Sequence, residues 1–295
     1  MIVRTVLILS ILLLQALKAQ DRVSLDQSKP RVAVLPFDMG KISESQVFDK
    51  SGAAAFAEAA TQKVLNAFVQ LKRFTVIERA VIDKVLKEQN FQAGDWTDPN
   101  SMTSLGNLLG TQYIIHGQIQ NVTTAKKEKK FIASISLNLR IIDVASAEIK
   151  NAIDMKGKSS PKKEITSKIA YEALDDLENR FVEFIRKAFP VEGKVVKYLE
   201  DEGNKKKKNG KQKDLVLISC GKEMGVRVGD RFLMVKEEDI SVDGKMYKRQ
   251  KAVGKLVVKR LEVDGIFSVC EVLEGKKVLY EELDKENQIK VISSE

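Results

Sequence analysis

Histidine occurs once in this 295-residue chain, tryptophan once, cysteine twice and proline five times. The lone His116, inside YIIHGQI, excludes any zinc site or triad built on several imidazoles. It reads as a strand histidine whose polar atoms are satisfied in the fold. Nucleophile elbows of the GxSxG kind, Walker loops and GxGxxG turns are also missing. The glycine-rich GVRVGD, Gly225 to Asp230, lies between strand-like runs with no helix after it, so it reads as a turn and not as a phosphate cradle. Cys220 has no plausible base, because His116 belongs to a different part of the chain. The sequence therefore points to no enzyme, no metal, no cofactor and no small-molecule substrate.

Long apolar runs are absent beyond the N-terminus, so no membrane helix, which needs ~20 apolar residues, is expected there. The first twenty residues, MIVRTVLILSILLLQALKAQ, place Arg4 before an apolar run from Val6 to Leu14, with Ala16 and Ala19 behind it. That is the layout of a secretory signal peptide over residues 1–20, and it predicts an exported, periplasmic protein. With no cysteine near the cleavage zone, a lipoprotein anchor is not expected, and attachment to a membrane would be peripheral at most. Export raises the question of a disulfide between Cys220 and Cys270. Each lies near the end of a strand-like run. A bridge would be worth about 4 kcal/mol on the chain-entropy model, and two buried free thiols are the alternative.

Charge of one sign is concentrated rather than spread. The formal charge is +9, falling to +7 when Arg4 and Lys18 leave with the signal (9 − 2). Lys205, Lys206, Lys207, Lys208, Lys211 and Lys213 supply six positive charges within nine residues that contain no acid. Nucleic acid is a poor partner for an exported protein. The run reads first as a solvated loop, and secondly as an interface toward anionic lipid or polysaccharide.

With 31% charged and 43% hydrophobic residues the rest is ordinary globular material. RVAVL, from Arg31, reads as a buried strand. Gly52 to Leu71 follows as a helix with Phe56, Ala60, Val64, Phe68 and Leu71 on one face. Phe74 to Ile77 is a second strand, and a second helix carries Ile82, Val85 and Leu86. Asp98-Pro99-Asn100-Ser101 starts a third helix that Gly110 ends. Tyr113 to Val122 and Phe131 to Val144 read as strands joined across a lysine-rich TAKKEKK connection, with a further strand within Ala147 to Lys156. One long helix is expected from near Pro161 to Phe189, stopped by Pro190. Beyond Pro190 six β-rich runs alternate with glycine turns. The organisation is thus an α/β mixed sheet with packed helices over 30–190, then a small all-β barrel or sandwich over 191–295.

In their order, RVAVLPF, RFTVIERAVIDKVLKEQ, LGNLLGTQYIIHGQI and LNLRIIDVASAEI resemble the CsgG family over roughly residues 30 to 155. In these blocks Glu78 and Arg79 read as helix-start electrostatics plus a local ion pair. Gly110 and Gly117 are structural glycines. The resemblance implies an α/β domain of an envelope protein that associates with itself or with envelope or secretion-system proteins. It also implies a ring-forming outer-membrane channel with two membrane hairpins per subunit, and here the sequence departs from it. The lipoprotein cysteine is absent. Lysine-rich TAKKEKK and KGKSSPKKEITSK occupy the hairpin positions, where each lysine at mid-bilayer costs about 2–4 kcal/mol. VFDKSG, Val47 to Gly52, does not match the constriction loop. The C-terminal part loosely resembles the β-domain of the flagellar assembly protein T family. These resemblances imply an accessory or scaffold protein, with a channel component and a cell-wall polysaccharide binder as alternatives.

Overall fold

A computed structural model describes residues 29–39, 48, 50–91, 98–199, 214–284 and 288–294. Strand β1 (Arg31–Val34) lies inside a five-stranded mixed sheet, with Val32, Ala33 and Val34 all buried, which explains its unbroken apolar run. It pairs in parallel with β2 (Thr75–Val76) on one side and with β3 (Tyr113–Lys127) on the other. From β3 the sheet continues antiparallel through β4 (Lys130–Asp143) to β5 (Ile149–Lys158).

Helices cover the two faces unequally. Helix α1 (Lys50–Leu71) lays its stripe of Phe56, Ala60, Val64, Phe68 and Leu71 on one face. There it meets Ile135, Leu137, Leu139 and Ile141 of β4, whose alternation had marked them as inward-facing. Helices α4 (Ser167–Asp175) and α5 (Glu178–Ala188) complete this core with Ile169, Ala173, Phe181 and Ile185. Removing one such ring, as in Phe181→Ala, would cost about 3–5 kcal/mol. On the opposite face α2 (Arg79–Glu88) and α3 (Pro99–Leu109) cover only the corner formed by Ala33, Leu35, Ile114 and Ile142.

Local chemistry sets the ends of α3. The Asp98 carboxylate accepts the Ser101 backbone N–H at 2.8 Å and its hydroxyl at 2.6 Å, with Pro99 at the first helical position. Gly110 closes the helix at φ 61°, ψ 40°, a left-handed conformation that a Cβ would disfavour.

The single long helix expected from Pro161 to Phe189 is instead two helices, α4 and α5, broken at Asp176 and Leu177. Pro161 precedes the first of them by six residues. The Asp176 carboxylate accepts the Lys158 backbone N–H at 3.2 Å, which ties the break to the rim of β5. TAKKEKK is likewise not a separate connection. Strand pairing runs through it to Lys127↔Lys130, leaving only Glu128 and Lys129 as the turn.

The second sheet is antiparallel: β6 (Glu192–Leu199), β7 (Leu215–Ile218), β8 (Arg231–Val242), β9 (Lys245–Leu261), β10 (Ser268–Glu274) and β11 (Lys290–Ser294). Its order is β10-β7-β6-β11-β8-β9, and β9 returns to pair with β10, so each strand has two partners. Val216, Ile218, Phe232, Met234, Leu256, Val258, Cys270 and Val291 fill the interior. A helix, α6 (Lys276–Asp284), follows β10 where the sequence showed no helical stripe. Leu279 and Glu282 are buried along it, and Leu283 packs partly buried against the same core.

Candidate interaction surface

Because α2 and α3 cover one corner only, the rest of that sheet face carries polar side chains. Register places His116, Gln118, Arg140, Asn138, Ser136, Asp154 and Lys156 on it. These groups are wired together. The Asn138 amide donates to Asp154 Oδ1 at 2.9 Å, and Arg140 Nε donates to Asn138 Oδ1 at 2.8 Å. Gln118 reaches Asp38 at 3.3 Å and Gln120 reaches Asp154 at 3.4 Å. A polar face whose side chains already hold one another in place over a packed core is preorganised, because such side chains would lose little freedom on docking. His116 sits buried at its inner margin. Burial pushes its pKa down to about 4, with Asp38 opposing the shift and Arg140 adding to it.

A second polar constellation joins the two sheets. Arg186 of α5 grips Asp230 in a two-pronged ion pair, 3.1 Å to each carboxylate oxygen. Asp230 also accepts the Arg227 backbone N–H at 2.9 Å, which shapes the turn. Arg73 donates to the Phe189 carbonyl at 3.0 Å. Its pKa is lowered to about 10, by burial first and then by the neighbouring Arg186 charge, so it stays cationic at neutral pH. Gly225, at φ 70°, sits directly against the Leu71 carbonyl, where a Cβ would overlap it. GVRVGD is therefore a turn, as read from the sequence, and it docks on the end of α1. Arg73 and Asp230 fall within stretches quoted above, but neither they nor Arg186 were read as partners from the sequence. They lie 44 and more residues apart, and nothing local marks them as partners.

The residues that were singled out divide as follows. Glu78 takes the extended N-cap position of α2 without a side-chain capping bond. Arg79 makes the local ion pair, with Nε 2.7 Å from Asp83, and adds a 3.1 Å tie to Glu58 of α1. The Gly110 carbonyl accepts Arg31 Nε at 2.7 Å. Gly117 is needed because the Phe37 ring rests on it, where a Cβ would overlap the ring. The bridge between Cys220 and Cys270 is not formed. Both are buried free thiols, and the register sets Cys270 opposite Val216, four positions before Cys220. Burial pushes both thiols up to about 12. Lys205, Lys206, Lys207, Lys208, Lys211 and Lys213 lie outside the described residues, as do residues 1–20. Among the described residues no group of three or more His, Cys, Asp or Glu could hold a metal ion, and no helix is long and apolar enough to cross a membrane.

Comparison with known proteins gives one family. The model of the curli production assembly/transport component CsgG matches residues 14–175. No curated protein matches. Among solved structures, the lipoprotein GNA1162 of Neisseria meningitidis is 13% identical at a TM-score of 0.37, covering 52% of this chain and 99% of that one. The hypothetical protein CT253 of Chlamydia trachomatis is 14% identical at 0.36, covering 54% and 98%. A PelC dodecamer from Paraburkholderia phytofirmans is 8% identical at 0.31, covering 52% and 88%.

Proposed function

This chain belongs to the CsgG family, whose model spans more than half of it, and we propose that it is an exported accessory or scaffold protein of an envelope assembly or secretion system. It acts by binding other proteins, without catalysis. The observation that carries this reading is the open polar face of β3, β4 and β5, backed by the core beneath it. Chemistry finds little support: the one histidine is buried with its pKa lowered, and both thiols are held far from the thiolate form. Partners of polar, hydrogen-bonding character suit the face best. The division into two units falls near Pro190, with the second sheet serving as a docking module.

The family itself favours one other reading, a subunit of an outer-membrane channel. The length and composition of the β3–β4 hairpin speak against it. Past Val122, the last buried residue of β3, only Thr123, Thr124, Ala125, Lys126 and Lys127 remain, against the ~9–11 residues with apolar outward positions that a membrane strand needs.

Photo-crosslinking in cells separates these readings. A crosslinking residue at Asn138 or Asp154 should trap envelope proteins, and one at buried Leu137 should not. The protein should also leave osmotically shocked cells in soluble form. Recovery only with detergent-extracted outer membrane, folded only in detergent, would establish the channel reading instead.

A further inference from the structure

Strands β8 and β9 are longer than the sheet that holds them. β8 pairs with β11 only over Arg231–Val235, and β9 pairs with β10 only over Lys255–Leu261. Beyond those limits the two strands pair with each other alone, out to Val242↔Lys245, and no other described strand flanks them. The result is a two-stranded arm of about seven rungs, roughly 23 Å long at ~3.3 Å per residue. Asp243 (φ 50°) and Gly244 (φ 77°) form its turn, a left-handed pair that suits a two-residue hairpin.

The arm has an unusual charge arrangement. Its β8 half contains Glu237, Glu238 and Asp239, with no base from 237 to 242. Its β9 half contains Lys245, Lys248, Arg249 and Lys251, with no acid from 245 to 252, and all eight of those residues are exposed. Lys251 meets Glu238 at 3.5 Å within the hairpin, which helps fix its register, and among the described residues no strand pairs with the outer backbone edge of either strand. Apolar area is exposed at the tip as well: Val242, Met246 and Tyr247 are 50%, 67% and 53% accessible.

An open strand edge invites another strand, and charge of one sign is a usual defence against it. Here the two edges carry opposite signs. Like edges repel: β8 against β8 stacks acids on acids, and β9 against β9 stacks bases on bases, with side chains ~5 Å apart across such a pair. Unlike edges attract. We infer that the β8–β9 arm joins copies of this chain head to tail, the acidic β8 edge of one copy adding as a strand to the basic β9 edge of the next. A two-fold dimer through matching edges is disfavoured by the same charges, so the contact is heterologous and propagates around a ring or along a filament. This surface lies outside the matched family region, and the inference does not rest on where in the cell the protein works.

The test is size-exclusion chromatography with light scattering on the purified full chain, at roughly 1–100 µM, in low salt and in about 1 M salt. Two variants are compared: one with Glu237→Lys, Glu238→Lys and Asp239→Lys, the other with Lys245→Glu, Lys248→Glu and Arg249→Glu. The wild type should exceed the monomer mass in low salt and shrink in high salt. Each variant alone should run as a monomer, and an equal mixture of the two should regain an assembly, because basic edges then face acidic ones. A wild type that stays monomeric throughout, variants that assemble like wild type, or folded variants whose mixture stays monomeric would each overturn the inference. Carbodiimide cross-linking of mixed unlabelled and 15N-labelled wild type needs no variant. Links between residues 237–239 of one isotopic form and 248–251 of the other are expected, and links confined to single chains would overturn the proposal.

Discussion

The buried imidazole of His116 makes a quantitative prediction about pH. In the unfolded chain it takes up a proton near 6.5, whereas in the folded protein burial delays this to about 4. Between those values the unfolded state holds one more proton than the folded state, so stability falls as pH falls. The interval corresponds to about 3 kcal/mol at 1.36 kcal/mol per pH unit. The loss begins near pH 6.5 and is complete below pH 4. Asp98, Glu172 and Asp214, whose carboxyls are held low mainly by hydrogen bonds, also lose stability in acid. Wild type must therefore be compared with His116→Gln, which keeps a polar side chain but cannot titrate. Urea unfolding of both proteins at several pH values from 7 to 4 gives two stability curves, whose difference should slope by about 1.4 kcal/mol per pH unit in this interval. Parallel curves, whatever their offset, would refute the assignment of a buried neutral imidazole.

Three further outcomes follow from the same structure. Gly117→Ala drives a methyl into the Phe37 ring and should cost about 1–3 kcal/mol in urea unfolding, partly recovered when Phe37→Leu is added. Asp230→Ala leaves Arg186 half-buried without its carboxylate and releases the Arg227 backbone N–H, so a loss of about 1–3 kcal/mol is expected in thermal or urea melts. Removing Arg186 as well should cost less than the sum of the two single losses. Finally, Cys220 and Cys270 should resist alkylation in the native protein at pH 8 and both react once it is unfolded without reductant. No mass shift in the unreduced unfolded chain, with two shifts appearing after reduction, would mean that they had paired after all.

Elements with a local physical cause were legible from the residues alone. The α1 stripe, the Asp98 cap, the Gly110 stop and the alternating β4 each need only neighbours within a few positions. The break between α4 and α5 was not, because the apolar period passes through Leu177 unbroken and the Asp176 contact to Lys158 lies 18 residues away. Helix α6 was missed because its apolar stripe is only one turn long, buried Leu279 and partly buried Leu283, with the charged Glu282 buried beside them. Gly117 could be named from its motif, but the ring that makes it necessary comes from Phe37, eighty positions earlier.

The two extended hairpins show most clearly where sequence reading stops. A strand reveals itself by alternation only when one of its faces is buried. Residues 123–127 and 236–251 have no buried face along most of their length, so their charges read as loop. Pairing with a partner strand holds them extended all the same. The acids of β8 and the bases of β9 lie within fifteen residues and nearly cancel over a sequence window that spans both. Folding into an antiparallel ribbon puts them on opposite edges, and a nearly neutral segment becomes a dipolar one. The net charge of +9 says nothing about that separation, yet the separation decides which edge can meet which. The head-to-tail pairing proposed for this chain thus depends less on how much charge it carries than on which of its described strands lack a second neighbour.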